Sequence, residues 1–261
     1  MSASLAELVA RRDLLYMITW REIRIKYKQS IMGMLWAVLM PAVIVSAGVV
    51  VRYVFARMSG TALSVGDIAS VSVRAVPWAF FVSTIRFGSS SLVANSNLVT
   101  RVNLPREIFP VAAMLSQLMD FAVASGVLLV LLIALRVGVG WALLWLPALL
   151  IILVTLATGL SILLSAGGLF FRDVKYLVEV ILTFAIFFTP VFYEARVFGR
   201  WASILMLNPI APLLEGFAAV VVHHVSPSLP WLGYSGLCAV LTLVGALAVF
   251  KRLEPFFAES I

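Results

Sequence analysis

The sequence predicts an all-α integral membrane protein with six transmembrane helices, and three observations lead there. Of 261 residues, 63% are hydrophobic and only 12% charged, against roughly 25% charged in an ordinary soluble domain. Mean hydropathy is +1.10, and a soluble chain of this length has too little interior to hide that much apolar surface. The charges also fall in short stretches between long uncharged runs. Together these exclude a soluble enzyme, a disordered chain and a secreted disulfide scaffold. The single cysteine, Cys238, rules out an internal disulfide.

Residues 1–30 form the first unit, an amphipathic segment ahead of the first apolar run. Over residues 5–28, Tyr16, Trp20, Ile23 and Tyr27 recur at helical spacing and share one face. Arg21, Arg24 and Lys28 form a basic stripe beside it. Aromatic rings at headgroup level with cations facing anionic lipid describe a helix lying on a membrane surface. Two readings stay open: a basic flank, or a helix that also touches a cytoplasmic partner.

Residues 31–261 form the membrane domain. A helix crossing the hydrocarbon needs about 20 mostly apolar residues. The first crossing lies between Lys28 and Arg52. The second, Ala75 to about Asn95, is interrupted only by Arg86. The third, about Pro105 to Leu135, is interrupted by Asp120. The fourth sits in the uncharged run from Val137 to Phe171. The fifth is short, about Tyr176 to Tyr193, with Pro190 near its end, and the sixth is placed at Leu229–Phe250. An even number puts both termini on one side. Twelve of the 19 Lys and Arg residues fall on the pieces that share the N-terminus. Six (Arg52, Arg57, Arg74, Arg136, Arg196 and Arg200) fall opposite, and Arg86 lies within a crossing. The bias places both termini in the cytoplasm. The first 28 residues are too polar for a signal-peptide core.

Between crossings two and three, residues 95–104 carry helix-start signals at Asn95 and Ser96. They also offer a short apolar face of Leu98, Val99 and Val102, beside Arg101. Pro105 suits the first turn of the next helix. The local sequence allows either a short helix across the membrane base or a plain hairpin loop. Arg172 and Asp173 make a tight charged turn after crossing four. Beyond crossing five, Asn208-Pro209 is a second start signal, followed by an apolar stretch from Ile210 to His224. Fifteen helical residues rise only ~22 Å, so the outer segment of about 195–228 is predicted to enter and leave on one side. It serves as a gate or as a packed cap.

Arg86 and Asp120 lie at depths of roughly 14 and 18 Å on antiparallel crossings, from the helical rise. Isolated charges at such depth are costly, so the two are expected to pair. The rival is a proton path through Asp120, as in an ion-coupled secondary transporter or channel.

The chain has four lysines, none followed by Ser or Thr, so it has no phosphate-binding loop of the Walker type. His223 and His224 are adjacent, so they point different ways on a helix, and no metal site is expected. Basic charge follows the loops rather than forming a patch, which argues against nucleic acid.

Several stretches resemble the membrane subunits of type-2 ABC exporters, in the branch that exports polysaccharides and polyol phosphates (O-antigen, capsule, teichoic acid). They are Arg21-Glu-Ile-Arg-Ile-Lys-Tyr-Lys-Gln-Ser30, Gly33-Met-Leu-Trp36 with Pro41, Asn103-Leu-Pro-Arg-Glu107, Phe171-Arg-Asp173, Thr189-Pro-Val-Phe-Tyr193 and Leu207-Asn-Pro209. They occur in the family's order over nearly the whole chain.

The resemblance implies a homodimeric half-transporter in the bacterial inner membrane that moves a lipid-linked polysaccharide and is not itself an enzyme. Two copies of a separate ATPase subunit would bind ATP and Mg; this chain would hold no cofactor. It implies an interface helix (Tyr16, Trp20, Arg21, Arg24), a coupling helix (Leu98, Arg101, Val102) and a nearby turn (Arg172, Asp173) facing that ATPase. It also makes crossings one and five the pathway-lining helices. Trp36, Tyr53, Phe184, Phe187, Phe188 and Tyr193 are then candidates to lie against the apolar faces of sugar rings. Core packing or an interfacial belt is the other reading of each.

Overall fold

A computed structural model describes residues 11–28, 32–33, 35–58, 60, 64–101 and 104–258. Val102, the side chain of Arg101 and residues 5–10 of the amphipathic segment lie outside the described set. The described residues hold helices and turns, with no strand.

The labelled helices are α1 (Arg12–Lys28), α2 (Leu35–Met58), α3 (Val65–Ser89), α4 (Ser96–Arg101), α5 (Ile108–Ala134), α6 (Leu146–Phe170), α7 (Val174–Ala185), α8 (Ala211–Val221) and α9 (Leu229–Leu253). Single turns of 3₁₀-helix lead into α6, extend α7 to Phe188 and follow α9 over Glu254–Ala258. Among the described residues, five helices are long and apolar enough to cross a membrane: α2, α3, α5, Trp141–Phe170 and Leu229–Phe257. The expected fifth crossing corresponds to α7, which falls short of that length.

The boundary of the second crossing needs correction. Hydropathy places its start at Ala75, but α3 begins at Val65, so Arg74 lies inside a helix and not in an outer loop. The cause is a capping box. Asp67 N–H donates to Ser64 Oγ at 3.0 Å, and Ser64 N–H donates to the Asp67 carboxylate at 3.0 Å. Two orphan backbone donors at the helix start are thereby satisfied.

The centre is α3, packed against α5 and α6, with α9 on the far side of α6. Small residues set these distances, as is usual where backbones approach closely in membranes. A Cβ on Gly88 would lie 1.6 Å from Ser161 Oγ, and one on Gly159 would lie 2.8 Å from the Leu243 backbone nitrogen. By contrast α2 and α7 sit at the periphery. Their outer faces, which include Trp36, Met40, Val43, Val50, Ile181 and Phe184, are exposed.

Apolar side chains gather in two clusters. The larger joins α3, α6 and α8 around Trp78, Phe80, Leu153, Leu213 and Phe217. The smaller sits at the α1 end, where Ile18, Leu92, Val99, Ile108, Phe109, Phe250 and Phe257 meet. Helix α1 therefore docks on the bundle through Leu14, Leu15 and Ile18.

Candidate functional site

At the α1 end, α1, α2, α3 and α5 enclose a half-open cavity of about 530 Å³. Trp36, Trp78, Phe80, Phe87 and Phe121 form much of its wall, and Lys26, Arg86, Gln117 and Asp120 supply its polar groups. Helical geometry explains the polar strip on α5, since Gln117 and Asp120 are three residues apart and share a face. Lys26 bonds to Asp120 and donates to Gln117 Oε1 at 3.0 Å, with its ammonium 5.1 Å from the centre of the Phe87 ring. Tyr27 OH donates to the other Asp120 oxygen. Burial, then the Asp120 carboxylate, pushes the Tyr27 phenol well above its ordinary value, so it remains a protonated donor.

The expected Arg86–Asp120 pair does not form. Arg86 Nε donates to both oxygens of Glu179 on α7, at 2.8 and 3.0 Å, while Asp120 is held by Lys26 and Tyr27. Both residues line the same cavity, but their partners come from helices outside the pair of consecutive crossings. α1 folds back and brings Lys26 to Asp120, and α7 brings Glu179 to Arg86. A mutant cycle separates the two arrangements. Lys26→Met with Asp120→Leu should show a coupling of about 1–2 kcal/mol in unfolding free energy. Arg86→Met with Asp120→Leu should be additive to within about 0.5 kcal/mol. Coupling in the second cycle and not in the first would reinstate the Arg86–Asp120 pair.

Beside the cavity, Asn95 links α1 to the turn before α4. Its side-chain oxygen accepts from Arg21, and its amide donates to Glu22 Oε1 at 3.3 Å. α4 does form a short helix, but its apolar side is used internally. Val99 is buried and Leu98 half-buried against the α1-end cluster. Tyr16 and Trp20 remain exposed and stack with ring centres 6.4 Å apart. Arg24, Arg172 and Asp173 are exposed as well.

At the opposite end, two motifs far apart in sequence meet. Asn208 Nδ2 donates to Thr189 Oγ1 at 3.0 Å, and Thr189 Oγ1 donates to the Ala185 carbonyl at 2.8 Å. Ser235 Oγ and Tyr234 OH on α9 donate to the carbonyls of Pro209 and Leu207. Arginines then fasten the following segment to the bundle. Arg52 on α2 bridges Asp67 and Glu194 at 3.0 and 3.1 Å. Arg74 reaches Glu215 on α8 at 3.2 Å and the Tyr193 carbonyl at 3.3 Å. Burial opposes the Glu194 charge, but Arg74, Arg196 and Arg52 outweigh it and hold the carboxyl below its ordinary value. α8 is mostly buried, with Leu213, Leu214, Phe217 and Val220 in the main cluster.

Among the six aromatics singled out from the sequence, Trp36, Tyr53, Phe184, Phe187 and Phe188 are exposed on α2, α7 and its 3₁₀ extension. Tyr193 is half-buried, donates to the Phe187 carbonyl at 2.8 Å and packs edge-on against Phe198. Trp36 alone of the six lines the cavity. Sequence reasoning passed over Lys26, Gln117, Glu179, Glu194 and Glu215 as partners. A signal was available for two of them: Glu179 and Glu215 are lone carboxylates in apolar helices, which call for a cationic partner.

Residues 13–222 match the model of a family described as ABC-2 type transporter. The chain is 27% identical over 258 residues to the O-antigen export system permease protein RfbA of Myxococcus xanthus, an alignment spanning 98% of each chain. It is 26% identical over 257 residues to a protein of the same description from Klebsiella pneumoniae, spanning 95% of each.

Proposed function

The chain belongs to the ABC-2 type transporter family, and from that premise we propose that it is the membrane subunit of an ATP-driven exporter of a lipid-linked polysaccharide. One observation carries the substrate class: near-full-length likeness to permeases described as O-antigen exporters. Several features support the reading. The faces of α2 and α7 that this chain leaves uncovered carry the aromatic residues Trp36, Tyr53, Phe184 and Phe187. A second copy placed against those faces would bury them and enclose a passage whose walls suit the apolar faces of sugar rings.

On this reading the fifth of six crossings is made by α7, its 3₁₀ turn and Thr189–Tyr193. The segment of about 195–228 with α8 is the outer re-entrant part, and both termini are cytoplasmic. The ATPase would dock on Tyr16, Trp20 and Arg24 of α1, on α4, and on the turn at Arg172 and Asp173. ATP and Mg belong to that partner. The rival ion-coupled reading is less favoured, because both Asp120 oxygens are already engaged by Lys26 and Tyr27.

The test is co-purification with an ATPase subunit of the ABC type from the same cells, followed by ATP-dependent export in vesicles. A stable complex that exports polymer with ATP, and loses export in Phe187→Ala without disassembly, supports the proposal. A chain that recruits no ATPase, or a deletion strain with an unchanged surface glycan, refutes it.

A further inference from the structure

We propose that Glu107 and Lys251 form a clasp that positions α4, tying the exit of this short helix to the last membrane helix. The proposal rests on the reading of the chain as an ATPase-coupled permease only for its functional consequence; the clasp itself is a matter of geometry.

Helix α4 has six residues, far fewer than an isolated helix needs in order to persist. Its position is therefore set by what holds its two ends. The leading end is fixed by Asn95 against Arg21 and Glu22, and by Leu92 and Val99 in the apolar cluster. The trailing end passes through Pro105, which breaks the helix, to Arg106 and Glu107. There the Glu107 carboxylate is 1% exposed, and Lys251 Nζ lies 2.7 Å from its Oε1. Lys251 sits on the last turn of α9 and also bonds Glu254 at 3.1 Å.

The neighbouring Arg106 repeats the connection. Its guanidinium donates to the Glu254 carbonyl and lies 5.6 Å from the centre of the Phe257 ring. Phe257 is fully buried and meets Phe170 and Phe250 edge-on. So residues 106 and 107 are bound both to the end of α9 and to the 3₁₀ turn that follows it.

A buried ion pair is a poor way to gain stability, since apolar side chains of similar size often do as well or better. What it supplies is a defined geometry: a carboxylate this buried is strongly disfavoured in any position that leaves it without its cation. A displacement of α4 by a partner is then passed on to α9. Glu107 and Lys251 are positioning residues in this scheme, since they act through the placement of α4 and α9.

Three variants test it. Lys251→Gln removes the cation at a half-exposed side chain. Glu107→Leu with Lys251→Met replaces the pair by apolar groups. In the purified chain, amide hydrogen exchange at residues 96–101 should quicken about tenfold in Lys251→Gln, with the rest of α9 unchanged. In the complex with its ATPase, these first two variants should co-purify and hydrolyse ATP, yet export at least about fivefold less polymer per ATP. Reversing the charges, Glu107→Lys with Lys251→Glu, should restore part of that ratio.

Unchanged exchange at residues 96–101 in Lys251→Gln overturns the clasp, whether or not an ATPase binds. Faster exchange with an unchanged export ratio overturns its role in coupling. Failure of the unmodified chain to recruit an ATPase would instead count against the proposed function, and the exchange measurement would still decide the clasp.

Discussion

Arg74→Met is expected to destabilise the protein by about 3 kcal/mol, the lower end of the cost of breaking a buried pair, because the Glu215 carboxylate left behind is 24% exposed. The Arg74 side chain is 1% exposed. It holds Glu215 at 3.2 Å and the Tyr193 carbonyl at 3.3 Å. The other Glu215 oxygen accepts from the Ala195 backbone at 2.8 Å. One guanidinium thus ties α3 to the end of the α7 segment and to α8. Methionine fills much of the space but leaves a carboxylate with a single donor. Arg74→Lys should recover only part of the loss, because an ammonium cannot serve two acceptors through a planar fork. The double variant Arg74→Met, Glu215→Leu should be more stable than Arg74→Met alone. Unfolding of the detergent-solubilised protein measures all three. If Arg74→Met melts with the unmodified chain, the pair contributes nothing and the α8 segment is held by its apolar face.

Gly159→Leu should be the most damaging single change on α6. A Cβ there would lie 2.8 Å from the Leu243 nitrogen and 2.9 Å from its Cα. Both are backbone atoms of α9, which cannot swing aside as a side-chain tip can. The two helices must separate, and the void around the inserted side chain forfeits contacts along the whole interface. Overpacking typically costs 1–3 kcal/mol, and a backbone obstacle puts this site at about 3 kcal/mol or more. The control is Gly245→Ala on α9, where an added Cβ meets nothing within 4 Å. Helix propensity favours alanine there by up to about 1 kcal/mol. Equal melting of Gly159→Leu and the unmodified protein would show that α6 and α9 are not in the close contact described.

Much of the architecture could be read before any coordinates, because the signals are local. Long uncharged runs over residues 29–51 and 137–171 report helices in hydrocarbon whatever their neighbours are. Asn95 and Pro105 bracket α4 by their own backbone chemistry. The start of α3 was also legible, in Ser64 and Asp67 at capping-box spacing, but the hydropathy of residues 64–74 is diluted by Asp67 and Arg74 and drew the boundary inward by ten residues. α7 was recognised as short, which agrees with its twelve residues.

The all-helical membrane architecture, the membership of a transporter family and the approximate place of each long helix are legible in the chain alone. Composition and periodicity suffice for these, since each helix satisfies its own backbone and meets apolar surroundings on most sides. Which charge meets which depends on the packing of helices against one another. Arg86 chose Glu179 over Asp120, Lys26 reached across from α1, and Arg74 was buried beside Glu215. The physical reason is that a buried charge takes whichever opposite charge the packing brings within about 3 Å, and that distance is set by helices far apart in the chain. Two depths that agree are a necessary condition for a pair; the azimuth of each helix supplies the rest, and no single segment encodes it.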